Sequence, residues 1–142
     1  MTRIFLDFDG VLRRQTSPTS RLDADCVRSF EQVMLPHADA RIVIASTWRL
    51  VHRLDALRQL FSTELAGRIE GVTPDVADAE EFVRHAEVLA YLQKRKLQGS
   101  RWIAVDDDEK AYRPGASVIR VDPAVGFDAA CAPQLRAWLG TS

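Results

Sequence analysis

The chain has 142 residues, of which 46% are hydrophobic and 27% charged, and its 19 basic and 20 acidic side chains leave a formal net charge of -1. A chain of this size holds one core that buries roughly two thirds of its unfolded surface, so residues 1–142 read as one compact soluble domain, and a disordered or fibrous protein is excluded. Scattered basic residues and a near-neutral balance also exclude the strong electrostatic footprint of a dedicated duplex-DNA binder.

In chain order, Ile4 to Leu6 reads as a short buried strand that ends at Asp7 and turns at Gly10. The polar segment Arg13 to Ser20, with Pro18 among Ser and Thr, reads as a loop or flap. Leu22, Cys26, Phe30 and Val33 recur at helical spacing, and Pro36 stops that helix. Ile42 to Ala45 is a second buried strand, closed by Ser46 and Thr47. Apolar residues at 50, 51, 54, 57, 60 and 61 then predict a helix from Leu50 to Phe61. A third strand, Ile69 to Val72, is ended by Thr73, Pro74 and Asp75. Ala79 to Leu97 is the longest amphipathic stretch, with Phe82, Val83, Ala86, Leu89 and Leu92 on one face. Trp102 to Val105 is the fourth strand and runs into Asp106, Asp107 and Asp108. Val118 to Val121 is the fifth, and Ala132 to Leu139 a closing helix. Strands alternating with amphipathic helices predict an α/β fold, a mostly parallel central sheet of about five strands with helices on both faces.

Cys26 and Cys131 stand in no metal-ligand spacing and read as buried thiols of a reducing compartment. The apolar run at the N-terminus is too short for a signal peptide, and no stretch approaches the roughly 18 to 20 apolar residues of a membrane span, so a cytoplasmic protein without membrane contact is expected.

Three strands end in polar or acidic residues: Asp7 with Asp9, Ser46 with Thr47, and Asp106 with Asp107. In an open α/β sheet ligands bind in the crevice outside the carboxyl ends of the strands, so three such ends converging is informative. Helix capping is the plainer account of Ser46, Thr47 or Asp106 taken singly. It does not account for two carboxylates two residues apart at the end of a buried strand, because like charges that close need a cation or a shared proton. Mg2+ supplies that charge: it is a hard cation that takes carboxylate oxygens, backbone carbonyls and a substrate phosphate. Asp7, the backbone carbonyl of Asp9 and one of Asp106 and Asp107 would suffice to hold it.

These residues resemble the motifs of the haloacid dehalogenase (HAD) superfamily of phosphohydrolases. Asp7-Phe8-Asp9-Gly10-Val11 is similar to its first motif, Ser46 to its second, Arg84 to its third and Val105 to Asp108 to its fourth. A closer resemblance is to the small phosphatase-like branch found in Swiss army knife RNA repair proteins, through Leu6 to Leu12, Ser46 to Arg49, Thr73-Pro74, Arg84 to Glu87, Asp106-Asp107 and Asp122 to Gly126. The resemblance implies a three-layer α/β/α Rossmann-like fold. The stretch between Gly10 and Ser46 is too short for a large cap domain. It further implies Asp7 as nucleophile, Asp9 as general acid and then base, Ser46 or Thr47 with Arg84 on the phosphoryl group, and Mg2+ held by Asp7, Asp9 and Asp106 or Asp107. Arg84 stands where a Lys is commoner, and its plainer alternative is an ion pair with Glu80 or Glu87 at helical spacing.

A capless member has an open cleft, which suits a bulky or macromolecular phosphate ester. Arg13, Arg14, Trp48 and Arg49 are therefore candidate substrate contacts, for a phosphorylated small molecule or a nucleic-acid end. Against that, Trp48 packing under a helix and Arg49 pairing with an acid are the structural alternatives. The expected function is a Mg2+-dependent phosphomonoester hydrolase working through an aspartyl-phosphate. The alternative is a non-catalytic or partner-dependent domain that binds metal or phosphate, and the presence of both Asp7 and Asp9 argues against it.

Overall fold

The computed structural model describes residues 2–76 and 78–140. Five strands, β1 (Thr2–Leu6), β2 (Arg41–Ile44), β3 (Ile69–Val72), β4 (Arg101–Asp106) and β5 (Val118–Arg120), pair in parallel in the order β3-β2-β1-β4-β5. The central strands are near-continuous apolar runs, as strands covered on both faces must be, and side-chain alternation sorts each run into two cores. Ile4, Leu6, Ile42, Ile44, Ile103 and Val105 point to one face. They meet Phe30 of α1 (Ala24–Met34), Leu57 of α2 (Leu54–Arg58), Leu65 of α3 (Thr63–Ala66) and Leu135 of α5 (Ala132–Gly140) there. Phe5, Val43 and Ala104 point the other way, against Val88, Tyr91 and Leu92 of α4 (Val83–Lys94). This is the expected three-layer α/β arrangement without a large cap; α1 is the only helix between Gly10 and Ser46.

Strand order locates the crevice. The chain builds outward from β1 through β2 to β3, then returns to lay β4 on the other side of β1. At that reversal the connections leave β1 and β4 in opposite directions, so the carboxyl ends of these two strands border an open cleft.

Two helices differ from their expected form. The stretch Leu50 to Phe61 is not one helix: a 3-10 turn covers Thr47–Leu50, Arg53 is extended, and α2 and α3 follow as short separate pieces. Leu50 and Val51, which the periodicity assigns to a buried face, are 55% and 78% exposed. Tertiary contacts decide this, because Trp48 packs edge-on against Phe8 while Arg49 reaches the buried Glu87, and Ser62 restarts the chain by accepting from Leu65 N. The expected helix from Ala79 to Leu97 begins only at Val83, since Phe82 is left-handed with φ 51°. Its buried face is Glu87, Val88, Tyr91 and Leu92, whereas Val83 and Leu89 are exposed. A charged residue on the inward face turns the helix away from the orientation that hydrophobicity alone predicts.

The remaining elements lie where expected to within a residue or two. Helix α1 ends short of Pro36. Its last carbonyls are met by the buried guanidinium of Arg68, which donates to Met34 O at 2.7 Å and Leu35 O at 3.0 Å. Cys26 and Cys131 are free and buried, and burial pushes the Cys26 thiol up to about 11. No described helix is long and apolar enough to cross a membrane.

Candidate active site

Asp7 leaves β1 at its carboxyl end, and its N–H donates to Val105 O at 3.0 Å, which sets it beside Asp106 at the end of β4. One carboxylate oxygen from each of Asp7, Asp106 and Asp107 falls within 4.8 Å of the others. Asp7 and Asp106 are buried. Asp7 accepts from Phe8 N at 2.8 Å, and Asp106 accepts from Asp108 N at 3.0 Å and from the Tyr112 hydroxyl at 3.3 Å. Burial first, and then the charge of Asp106, hold the Asp7 carboxyl well above the usual carboxylate range, with Arg84 pulling the other way. Burial likewise pushes Asp106 up to about 6, against the N–H of Asp108. Three hard oxygen donors with surplus negative charge are the donor set that Mg2+ takes, so these residues fit the ion. Asp7 with Asp106 or Asp107 would hold it.

Gly10 makes the close approach possible. It sits at φ +85°, and a Cβ there would meet Asp107 Oδ2 at 2.4 Å. Gly10→Ala is therefore expected to destabilise the fold by about 1 to 3 kcal/mol, a typical cost of holding a non-glycine residue in that region. It should also displace Asp107, and denaturant unfolding with and without Mg2+ measures both effects. A variant as stable as the parent would show that the turn relaxes freely.

Asp9 is exposed, and its carboxylate lies outside the three-acid cluster, so any part in metal binding falls to the backbone carbonyl proposed for it from sequence. Its Oδ1 accepts from Arg13 Nη1 at 3.4 Å and its Oδ2 from the Trp48 indole N–H at 3.2 Å. Trp48 is fixed in turn by Phe8, with ring centroids 5.4 Å apart, and lies against His52. Asp9, Arg13, Thr47, Trp48, Val51 and His52 border a pocket of about 530 Å³.

Ser46 is fully buried just beyond β2. Its Oγ accepts from Trp48 N at 3.2 Å, capping the 3-10 turn and leaving its own O–H free to donate. Thr47 is exposed and borders both the Asp9 pocket and a second cleft of about 440 Å³, shared with Arg84, Asp108 and Lys110. Arg84 lies on the first turn of α4. Burial works against its charge but is outweighed by Asp7, Glu87 and Asp106, in that order.

Two of the four candidate substrate contacts are committed elsewhere. Arg14 pairs with Asp25 at 2.5 Å and donates to Val125 O at 2.6 Å, at the start of α1 and apart from both pockets. Arg49 borders the second cleft, but its guanidinium is spent on Thr73 O, Ser46 O, Pro74 O and Glu87, and its side chain is 2% exposed. Arg13 and Trp48 remain on the rim. Sequence reasoning missed Lys110, on the 3-10 turn Glu109–Ala111, and Tyr112. The available signal was Asp108, whose carboxylate caps that turn by accepting from the backbone Lys110 N at 3.1 Å, and Lys110 borders the second cleft.

An all-parallel sheet with an acid-lined crevice at its reversal point, and no large cap above it, defines a HAD-like α/β domain. The chain belongs to the family described as the HAD domain in Swiss Army Knife RNA repair proteins, whose profile matches residues 3–132. No curated protein and no solved structure matches the chain.

Proposed function

We propose that the chain is a Mg2+-dependent phosphomonoester hydrolase with Asp7 as its nucleophile. The observation that carries this is the placement of Asp7, buried at the crevice floor among Asp106, Asp107 and the field of Arg84, with Asp9 on the rim two residues on.

A free oxygen of Asp7 attacks phosphorus in line, and the bond from phosphorus to the leaving oxygen breaks. The Asp9 carboxyl gives its proton to that oxygen. Asp9 then takes a proton from water as the water oxygen attacks phosphorus, which releases inorganic phosphate and restores Asp7. Arg84 with Ser46 or Thr47 binds the transferring phosphoryl oxygens. Bound Mg2+ would screen the carboxylates from the phosphate dianion and polarise its oxygens. Trp48 and Arg13 hold the Asp9 carboxylate by its two oxygens, so the acid is aimed before substrate arrives. A panel of phosphate esters with and without Mg2+ tests the reading, and no turnover of any ester would sink it.

The substrate we favour is a phosphorylated nucleic-acid end, as membership of a family found in RNA repair proteins also suggests. Arg13 and Trp48 beside Asp9 offer a cation for a neighbouring phosphate and a face for a base. A phosphorylated oligonucleotide should then be cleaved with higher kcat/KM than the matching mononucleotide, and the ratio should fall as salt is added. Arg13→Ala should lower that ratio. Equal efficiency on both substrates at low salt would leave a generic phosphomonoesterase.

A further inference from the structure

A carboxylate on the inward face of a helix is costly unless its oxygens are met. The Glu87 side chain is 3% exposed, and its two oxygens are divided. Oε2 accepts from Arg49 Nη2 at 2.6 Å and from Val76 N at 3.3 Å, while Oε1 accepts from Arg84 Nη1 at 3.2 Å. Arg49 is itself fixed by the carbonyls of Ser46, Thr73 and Pro74. A line of charge, positive, negative, positive, thus runs from the turn after β2, past the loop after β3, to the first turn of α4.

A purely structural role would need only the buried Arg49–Glu87 pair, in which both carboxylate oxygens could face one guanidinium fork. Glu87 instead gives one oxygen to Arg84, whose side chain is 20% exposed and borders the cleft beside Thr47 and Lys110. Two guanidiniums around one carboxylate leave one net positive charge, and it falls at the Arg84 end. Were Glu87 to face Arg84 alone, that pair would be neutral and would attract a phosphate dianion weakly.

We infer that Glu87 is a positioning residue for Arg84, and that Arg49 is the counter-charge that keeps Arg84 cationic toward a phosphoryl group. The inference rests on the phosphohydrolase reading for its substrate. It also accounts for an Arg at position 84. The planar fork spends one nitrogen on Glu87 and keeps others for phosphoryl oxygens, a division that the point charge of a lysine cannot hold in fixed geometry.

The test is a double-mutant cycle on the full chain, combining Glu87→Gln with Arg84→Met. It is read by kcat and KM on p-nitrophenyl phosphate with Mg2+ and, independently, by calorimetric binding of inorganic phosphate with Mg2+. Glu87→Gln alone should weaken phosphate binding and lower kcat/KM by about tenfold, within the range of coupling between residues of one network. In the Arg84→Met background the same change should add less than about twofold, because the residue it acts through is gone. Glu87→Asp, which keeps the charge but withdraws the carboxylate by one methylene, should repeat the pattern and serves if Glu87→Gln fails to fold. Undiminished effects in the Arg84→Met background, or unchanged phosphate binding in folded Glu87→Asp, would overturn the inference. Should the parent bind phosphate through Arg84 and Glu87 yet turn over no ester, the hydrolase reading fails and this inference stands. A parent that binds no phosphate overturns it.

Discussion

Chelation should abolish turnover of every phosphomonoester, and added Mg2+ should restore it. Asp7, Asp106 and Asp107 bring their oxygens within 4.8 Å of one another, and against these three carboxylates stands one nearby guanidinium, Arg84. A phosphate dianion approaching that floor meets net repulsion, so a cation is required both to admit the substrate and to keep Asp7 ionised for attack. Full turnover in chelator would end the mechanism. The same charges predict a second readout that needs no activity. Asp7 and Asp106 are both raised above their ordinary value, Asp106 to about 6, so between their unfolded and folded values the native state holds protons that the unfolded chain has lost. Stability from Asp106 is therefore fully present below its ordinary value of 3.8 and lost as the pH rises through about 6, and the contribution of Asp7 falls in the same direction with rising pH. Binding of Mg2+ requires the ionised forms, so the rise in Tm that it causes should be large at about pH 7.5 and small at about pH 4.5. Equal shifts at both would mean that the ion binds away from these acids.

Asp7, Ser46 and Asp106 were legible because a parallel sheet delivers strand ends to one edge, and a polar residue that closes an apolar run is visible in sequence. The strands were legible for the same reason. What escaped was set by contacts between distant segments. Glu87 scores as an outward residue in any hydrophobic pattern, yet Arg49 and Arg84 draw it inside and turn α4 with it. The run Leu50 to Phe61 scores as one helix, yet Trp48 and Arg49 are drawn toward opposite partners and the chain between Ser46 and Arg53 coils as a turn. In both places a buried or aimed polar group near the candidate site overrode local propensity, as expected where sequence serves chemistry rather than packing. The split among the four proposed substrate contacts has the same origin. Spacing brought Arg13, Arg14, Trp48 and Arg49 near the crevice, but only the partners available to each guanidinium decided which of them face it.

Asp9→Asn should lower kcat on an alkyl phosphate by about 100- to 10,000-fold, the usual worth of a positioned proton donor. The Asp9 side chain is 49% exposed and lies outside the acid cluster, so the substitution should leave Mg2+ affinity near that of the parent. An asparagine oxygen can still accept the Trp48 N–H, which bonds Asp9 at 3.2 Å, so that anchor stays, while the pair with Arg13 is lost together with the transferable proton. The loss should therefore depend on the leaving group. An alkoxide needs protonation as the bond to phosphorus breaks, whereas p-nitrophenolate departs without it. The variant should retain far more of its rate on the aryl ester than on the alkyl one. Equal losses on both would remove Asp9 from the acid role and assign the defect to the turn that carries it. A selective loss on alkyl esters, with unchanged Mg2+ binding, would separate the two aspartates of Asp7-Phe8-Asp9 by function, as β1 already separates them in space, one on the crevice floor and one on its rim.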